Sequence, residues 1–107
     1  MNDLRKVLNL LSIAQRSGRI VSGGFMTEKA VKSHQAALVI LAADASENTK
    51  KKFQNMCTFY RVPVIELSDT ESLGHCIGRS ERSSLAVTDE GLANAVLAQT
   101  EDLNTRR

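Results

Sequence analysis

The sequence of 107 residues contains no tryptophan, one tyrosine and three phenylalanines. A chain this poor in aromatic rings has little material for the stacking platforms that bind single-stranded nucleic acid. Its two cysteines, Cys57 and Cys76, do not form a CxxC motif, so the sequence indicates neither a disulfide framework nor a zinc site. We expect both to be reduced thiols in a folded core.

Long apolar runs are also missing. The longest, residues 36–43, has eight residues, whereas a membrane-spanning helix needs about 20. The first residues lead into a charged amphipathic stretch rather than the apolar region of a secretory signal. Because 42% of residues are apolar and 24% are charged, as in globular proteins, we expect one domain over residues 1–99. We also expect a flexible tail over residues 100–107 and a cytoplasmic location.

The formal net charge is only +2, but the charge is distributed unevenly along the chain. Residues 1–61 contain ten Lys or Arg and four Asp or Glu, for a net +6, whereas residues 62–107 contain four and eight, for a net −4. Such asymmetry can produce a basic face on a nearly neutral protein, as polyanion binding requires.

Helical and strand patterns alternate along the chain. Apolar residues recur at helical spacing from Leu4 to Ala14, after a possible cap at Asn2 or Asp3, whereas residues 36–42 have no polar alternation and indicate a strand covered on both faces. Further helices are predicted near residues 25–33, 47–60, 70–76 and beyond 89, and further strands near 20–22, 62–65 and 85–87. This order predicts an α/β fold, a three-layer α/β/α sandwich with about four strands.

Three loops of this fold contain the candidate functional residues, and we expect them to meet at one rim of the sheet. Gly23 and Gly24 precede a helix whose backbone N–H groups suit an anion, although no nucleotide-binding fingerprint is present. Lys29 and Lys32 follow on that helix. A plain turn would also explain the two glycines, and a solvated helix face would also explain the two lysines. Arg79 and Arg82 lie in a serine-rich loop and could contact phosphates.

The sequence offers few combinations of residues that could support catalysis. His75 and Cys76 are adjacent and point to different sides of a helix, so they form a poor nucleophile and base pair. No HExxH, HxH or CxxC spacing indicates a metal site. We therefore expect no enzyme activity, no metal and no cofactor.

The sequence resembles those of the bacterial YlxQ proteins, which are small relatives of a ribosomal-protein superfamily whose members bind kink-turn RNA. The resemblance extends from about Leu8 to Leu97. It rests on the order and spacing of residues 16–23 (RSGRIVSG), 42–52 (AADASENTKKK), 62–64 (VPV), 77–79 (IGR) and 86–89 (AVTD).

The resemblance implies a small mixed sheet with one reversed strand and an RNA surface at the start of the second helix. Bacterial relatives open that helix with a pattern like Gly-x-Lys-Gln-Thr-x-Lys, which Gly23, Thr27 and Lys29 match. The glycine would allow RNA to approach the backbone closely. The threonine hydroxyl would form a hydrogen bond to RNA, and the lysine would place a positive charge at a phosphate. In the neighbouring loops, the residues that match the family are Asp44, Ala45, Gly78 and Arg79.

Two positions depart from the pattern, because Phe25 and Met26 replace polar residues that would contact base edges. Phe25 could stack on a splayed base, or both side chains could pack against the first helix or a loop. A protein-interaction module on the same fold, with reduced RNA recognition, is the alternative function.

The sequence therefore predicts a non-catalytic, ribosomal-protein-like RNA-binding protein that recognises kinked or internally looped RNA. The partners we expect are structured RNA, such as ribosomal RNA or another kink-turn RNA, and with it the ribosome. We expect a monomer with no membrane partner.

Overall fold

The structure is a computed structural model that describes the backbone of residues 3–105 and the side chains of residues 4–101. Within this range five helices alternate with four strands, as the sequence predicts. They are α1 (Asp3–Arg16), β1 (Ile20–Ser22), α2 (Gly24–Lys32), β2 (Leu38–Leu41), α3 (Glu47–Tyr60), β3 (Val64–Glu66), α4 (Thr70–Cys76), β4 (Ser84–Val87) and α5 (Glu90–Thr105).

The strands form one mixed sheet in the order β1-β4-β2-β3. β4 is antiparallel to both of its neighbours, with Ile20 opposite Val87 on β1 and Leu38 opposite Val87 on β2. β2 and β3 are parallel, and Val39 is opposite Val64. β4 is therefore the single reversed strand, which confirms the mixed sheet implied by the family resemblance.

Helices cover both faces of the sheet because its central strands are apolar on both faces. Leu38 and Ile40 of β2 pack in a core with α1, α4 and α5. Val39 and Leu41 of the same strand pack in a second core with α2 and α3. This arrangement confirms the three-layer α/β/α prediction.

The connections at one edge of the sheet form a continuous surface that we call the upper rim. It comprises residue 23 and the loops 42–46, 67–69 and 77–83, because β1, β2 and β3 end there and reversed β4 begins there. The Gly23 amide donates to the Ser84 carbonyl (3.0 Å), and the Ala42 amide donates to the Ser83 carbonyl (3.0 Å). The three loops singled out from the sequence therefore meet at this rim.

α5 continues to Thr105, into the segment 100–107 that the sequence predicts as a flexible tail. Thr100 is buried, its hydroxyl donates to the Leu97 carbonyl (2.9 Å), and neither glycine nor proline interrupts residues 100–105. The predicted cap Asn2 and tail residues 106 and 107 lie outside the described residues. None of the helices within the described range is long and apolar enough to cross a bilayer.

Candidate functional site

α2 begins at the upper rim without a side-chain cap. Gly23 precedes it with φ 89° and ψ 157°, a backbone conformation that side chains disfavour. The Thr27 amide donates to the Gly23 carbonyl (3.0 Å) and so starts the helical hydrogen bonding. Because no side chain caps α2, its first-turn amides, at residues 24–26, present donors and the positive end of the helix dipole at the rim.

Phe25 and Lys29 share one face of α2. Phe25 is 78% exposed, so it does not pack against α1 or a loop. Lys29 is exposed one turn further along the same face, since residues four apart are neighbours on a helix. These two residues line a shallow cavity of about 390 Å³ together with Glu28, Lys32 and Ser33.

Met26 lies on a different side of α2 and is 42% exposed. It lines a cavity of about 310 Å³ between α2 and the α4–β4 loop, together with Gln15, Ser22, Arg79 and Arg82. The structure therefore separates Phe25 from Met26. One predicted basic pair, Arg79 and Arg82, accompanies Met26, whereas the other, Lys29 and Lys32, accompanies Phe25.

Arg82 is held in place by neighbouring hydrogen-bond acceptors. Its Nε donates to Ser22 Oγ (3.2 Å), and its Nη1 donates to Ser80 Oγ (3.2 Å) and to the Glu81 carbonyl (2.9 Å). These bonds leave Nη2 without an acceptor among the described residues. The Nη2 N–H groups of Arg82, which lines the 310 Å³ cavity, therefore remain available to donate to an anion there.

Ion pairs reduce the free positive charge beside α2. Glu28 Oε2 is 2.8 Å from Lys32 Nζ, and Glu28 Oε1 is 2.8 Å from Lys52 Nζ. Hydrogen bonds from Lys32 and then Lys52 lower the pKa of Glu28 to about 2. Glu28 in turn raises the pKa of Lys32. Lys32, predicted to contact phosphate, is thus engaged within the protein, whereas exposed Lys29 has no ion-pair partner among the described residues.

Three predicted contact residues take part in the internal packing or hydrogen bonding of the domain. Thr27 is fully buried, and its hydroxyl has no hydrogen-bond partner among residues 4–101, so it is not exposed to RNA. Ala45 is buried in the core beneath α1 and α4. Asp44 Oδ1 accepts from the Thr70 amide (2.9 Å), which ties the β2–α3 loop to the start of α4.

Gly78 and Arg79 lie in the exposed part of the α4–β4 loop. Gly78 has φ 73°, which favours glycine. The Arg79 amide donates to the Gly74 carbonyl (2.8 Å), and this bond fixes the loop against α4. The Arg79 side chain is exposed beside Met26. Both residues therefore lie on the upper rim where the family resemblance implies RNA contact.

Ser22 and Lys52 take part in the site although neither is among the residues that the sequence predicts to contact RNA. Ser22 orients Arg82 from sixty residues away in sequence. Lys52 neutralises Glu28 from the neighbouring helix. Both contacts join different elements of the fold, so no local pattern could have predicted them.

The cysteines and histidines do not assemble a reactive site in the described part of the chain. No group of three His, Cys, Asp or Glu side chains there could hold a metal ion. Burial raises the pKa values of the Cys57 and Cys76 thiols to about 11, so both stay protonated near neutral pH. The exposed basic and aromatic side chains beside the rim offer electrostatic and stacking contacts.

Comparison with known proteins identifies relatives over most of this chain. The ribosomal protein L7Ae/L30e/S12e/Gadd45 family matches residues 5–97. RNA-binding protein YlxQ of Bacillus subtilis (strain 168) is 39% identical over 89 residues, which cover 83% of this chain and 89% of that protein. RNA-binding protein YlxQ of Enterococcus faecium is 35% identical over 89 residues, covering 83% and 85%.

Solved structures share the fold. A protein of unknown function from Bacillus halodurans C superimposes with a TM-score of 0.87 and 36% identity, over 90% of this chain and 97% of that one. The Giardia lamblia 15.5kD RNA binding protein superimposes with a TM-score of 0.79 over 98% of this chain and 91% of that chain. Because it is only 23% identical, the second match supports the fold alone.

Proposed function

Because this chain belongs to the ribosomal protein L7Ae/L30e/S12e/Gadd45 family, we propose that it is a non-catalytic RNA-binding protein. Its target is kinked or internally looped RNA, bound at the upper rim. The observation that carries this proposal is the assembly of exposed Lys29, Arg79 and partly buried Arg82 around the uncapped start of α2. The names of the Bacillus subtilis and Enterococcus faecium relatives support RNA as the ligand.

Backbone phosphates are the first group that this rim suits. The start of α2 supplies amide donors and a positive dipole end, and Gly23 and Gly24 leave that approach open because nothing lies within 4 Å of an added Cβ. Arg82 adds a guanidinium already oriented by Ser22. Lys29 adds an exposed charge on the other side of α2. Of two phosphate strands that diverge at a bend, one would meet Lys29 and the other Arg79 and Arg82.

Bases that leave the helical stack at the bend are the second group. Phe25 presents an exposed ring beside Lys29, and aromatic faces stack on splayed RNA bases. Met26 contributes an apolar contact between α2 and the α4–β4 loop. These side chains cannot donate hydrogen bonds to base edges, so the RNA is selected mainly by its shape. We place this activity in the cytoplasm, with a monomer acting on ribosomal or similar structured RNA.

The glycine amides provide a direct test by NMR. Gly23 and Gly78 lie on the upper rim and Gly24 begins α2 beside it, whereas Gly18 and Gly91 lie at the opposite edge of the sheet, before β1 and after β4. On titration with an RNA that contains an internal loop, we expect shifts of the three rim amides and unchanged positions for the other two. Shifts confined to Gly18 and Gly91, or spread evenly over all five, would contradict binding at this rim.

A protein-interaction module is the second candidate, because Phe25 and Met26 are the exposed apolar residues at the rim. Phe25→Ala separates the two functions. If RNA affinity is unchanged while capture of a protein partner by the immobilised chain is lost, the interaction module is supported. If RNA affinity falls and no protein is captured, the RNA-binding proposal is supported.

A further inference from the structure

Three of the four Phe and Tyr side chains are exposed or only partly buried, although Tyr60 packs against the core beneath α2 and α3. Phe53 is buried between α3 and the sheet, but Phe25 and Phe59 are 78% and 79% exposed and Tyr60 is half-buried. Phenylalanine is usually buried, so two nearly free rings on one small domain require an explanation. Both lie on the layer formed by α2 and α3, Phe25 where α2 begins and Phe59 where α3 ends.

Phe59 belongs to an aromatic cluster. Its ring centroid is 5.0 Å from that of Tyr60, and the Tyr60 centroid is 5.6 Å from the imidazole of His34, both in edge-to-face arrangement. His34 follows α2 with φ 64°, and its amide donates to the Val31 carbonyl (3.1 Å). The cluster therefore joins the end of α2 to the end of α3, at the edge opposite the upper rim.

A basic surface connects this cluster to Phe25. Phe25, Lys29 and Lys32 line the same shallow cavity along α2, and Phe25 and Lys32 are about 10 Å apart along the helix axis. Lys32 ends α2 two residues before His34, so it adjoins the cluster along the chain. The rings and lysines form one track that consists of Phe25, Lys29, Lys32, His34, Tyr60 and Phe59.

We propose that this track binds a single-stranded RNA segment that continues from the bend along α2 to the His34–Tyr60–Phe59 cluster. The inference rests on the proposed function for its Phe25 end. Exposed rings stack on unpaired bases of any sequence, and flanking lysines contact the phosphates between them. Paired bases in a duplex would not present their faces to these rings, so the segment is unpaired.

The charge of the track favours nucleic acid over a protein partner. Lys32 and Lys52 pair with Glu28, whereas Lys29 has no ion-pair partner among the described residues, so these four side chains have a net charge of +2. Lysine is depleted in protein–protein interfaces, whereas a basic groove with interleaved rings is typical of single-strand binding. The small aromatic content predicts no such platform, but the fold places the three exposed or partly buried Phe and Tyr rings on one layer, that of α2 and α3.

The first test uses a single-stranded RNA of about ten nucleotides without secondary structure. Tyr60 is the sole tyrosine of a chain without tryptophan, so protein fluorescence reports on the cluster directly. We expect the RNA to quench this fluorescence. Phe59→Ala should weaken its binding by about fivefold or more, the loss of one base–ring stack. Ile13→Ala is the matched control, because Ile13 is 47% exposed on α1 in the other layer.

The second test uses a kinked RNA with blunt ends and the same RNA with a single-stranded extension on either strand. The extension should increase the affinity of the wild-type protein, and Phe59→Ala should remove that increase while leaving affinity for the blunt RNA unchanged. No increase, or an increase that survives Phe59→Ala, would overturn the inference. Failure of the wild-type protein to bind the blunt kinked RNA would refute the proposed function instead, and Tyr60 quenching by the free strand then decides the inference alone.

Discussion

Lys52 of α3 and Glu28 of α2 form an ion pair of 2.8 Å that joins the two helices covering one face of the sheet. Glu28 also pairs with Lys32 within α2 at 2.8 Å. One carboxylate therefore engages two of the lysines nearest the site. Of the two α2 lysines, exposed Lys29 is therefore the one that can contact RNA without first breaking an ion pair among the described residues.

These pairs make a prediction about pH. We expect NMR titration of the Glu28 carboxyl to give a midpoint near 2 instead of the ordinary 4.5, because both lysines stabilise its ionised form. The folded-state pKa is lowered, so the stabilisation is fully present above about pH 4.5 and is lost as the pH falls toward 2. Lys52→Ala should move the midpoint upward. A midpoint near 4.5 in the wild-type protein would contradict both pairs.

Lys29→Ala should weaken binding to kinked RNA and reduce the slope of log affinity against log salt by about 1, the loss of one phosphate contact. Lys6→Ala is the control, because it removes the same charge from an exposed position on α1 in the other layer. Fluorescence anisotropy over a range of salt concentrations measures both slopes. Equal effects of the two substitutions would show that net charge, and not contact at the rim, controls affinity.

Thr27→Val should increase the free energy of unfolding by about 1 kcal/mol. It replaces a buried hydroxyl, which has no hydrogen-bond partner among the described residues, with an apolar group of similar shape. Chemical denaturation measures this change. The buried position also predicts unchanged RNA affinity. A clear loss of RNA affinity would instead support the hydrogen bond to RNA that the family pattern assigns to this threonine.

Gly74→Ala should lower the free energy of unfolding by about 1–3 kcal/mol, because overpacking usually costs this much. A Cβ at this helical position would collide with the backbone carbonyl of Ser80, so the α4–β4 loop would have to move. Gly24→Ala is the control, since a Cβ there meets nothing within 4 Å. Thermal unfolding of the two variants should separate clearly. Similar midpoints would mean that the loop does not pack on α4 as described.

The fold was largely predictable because its signals are local. Continuous apolar residues in β2 indicated a strand covered on both faces, and the spacing of Val7 and Leu11 indicated the buried side of α1. Strand order and direction could not be predicted, since pairing of β4 with β1 and β2 depends on contacts distant in sequence. The family resemblance supplied the mixed sheet.

The candidate site was predictable in position but not in detail. The glycines and basic residues located the rim, yet side-chain availability depends on tertiary packing. Thr27 and Ala45 match the family pattern but are buried, and Asp44 binds the start of α4. Composition gave the number of aromatic rings but not their placement, so the exposed Phe59 cluster was not anticipated.

The measurement that tests the central claim most directly is competition between a labelled kinked RNA and an unkinked duplex of equal length, at low and raised salt. We expect the protein to prefer the kinked RNA at both salt concentrations, because the rim recognises a bend as well as phosphate charge. Equal binding to the two RNAs, lost steeply as salt increases, would show a nonspecific basic surface and contradict the account. Binding to neither RNA would contradict RNA recognition altogether.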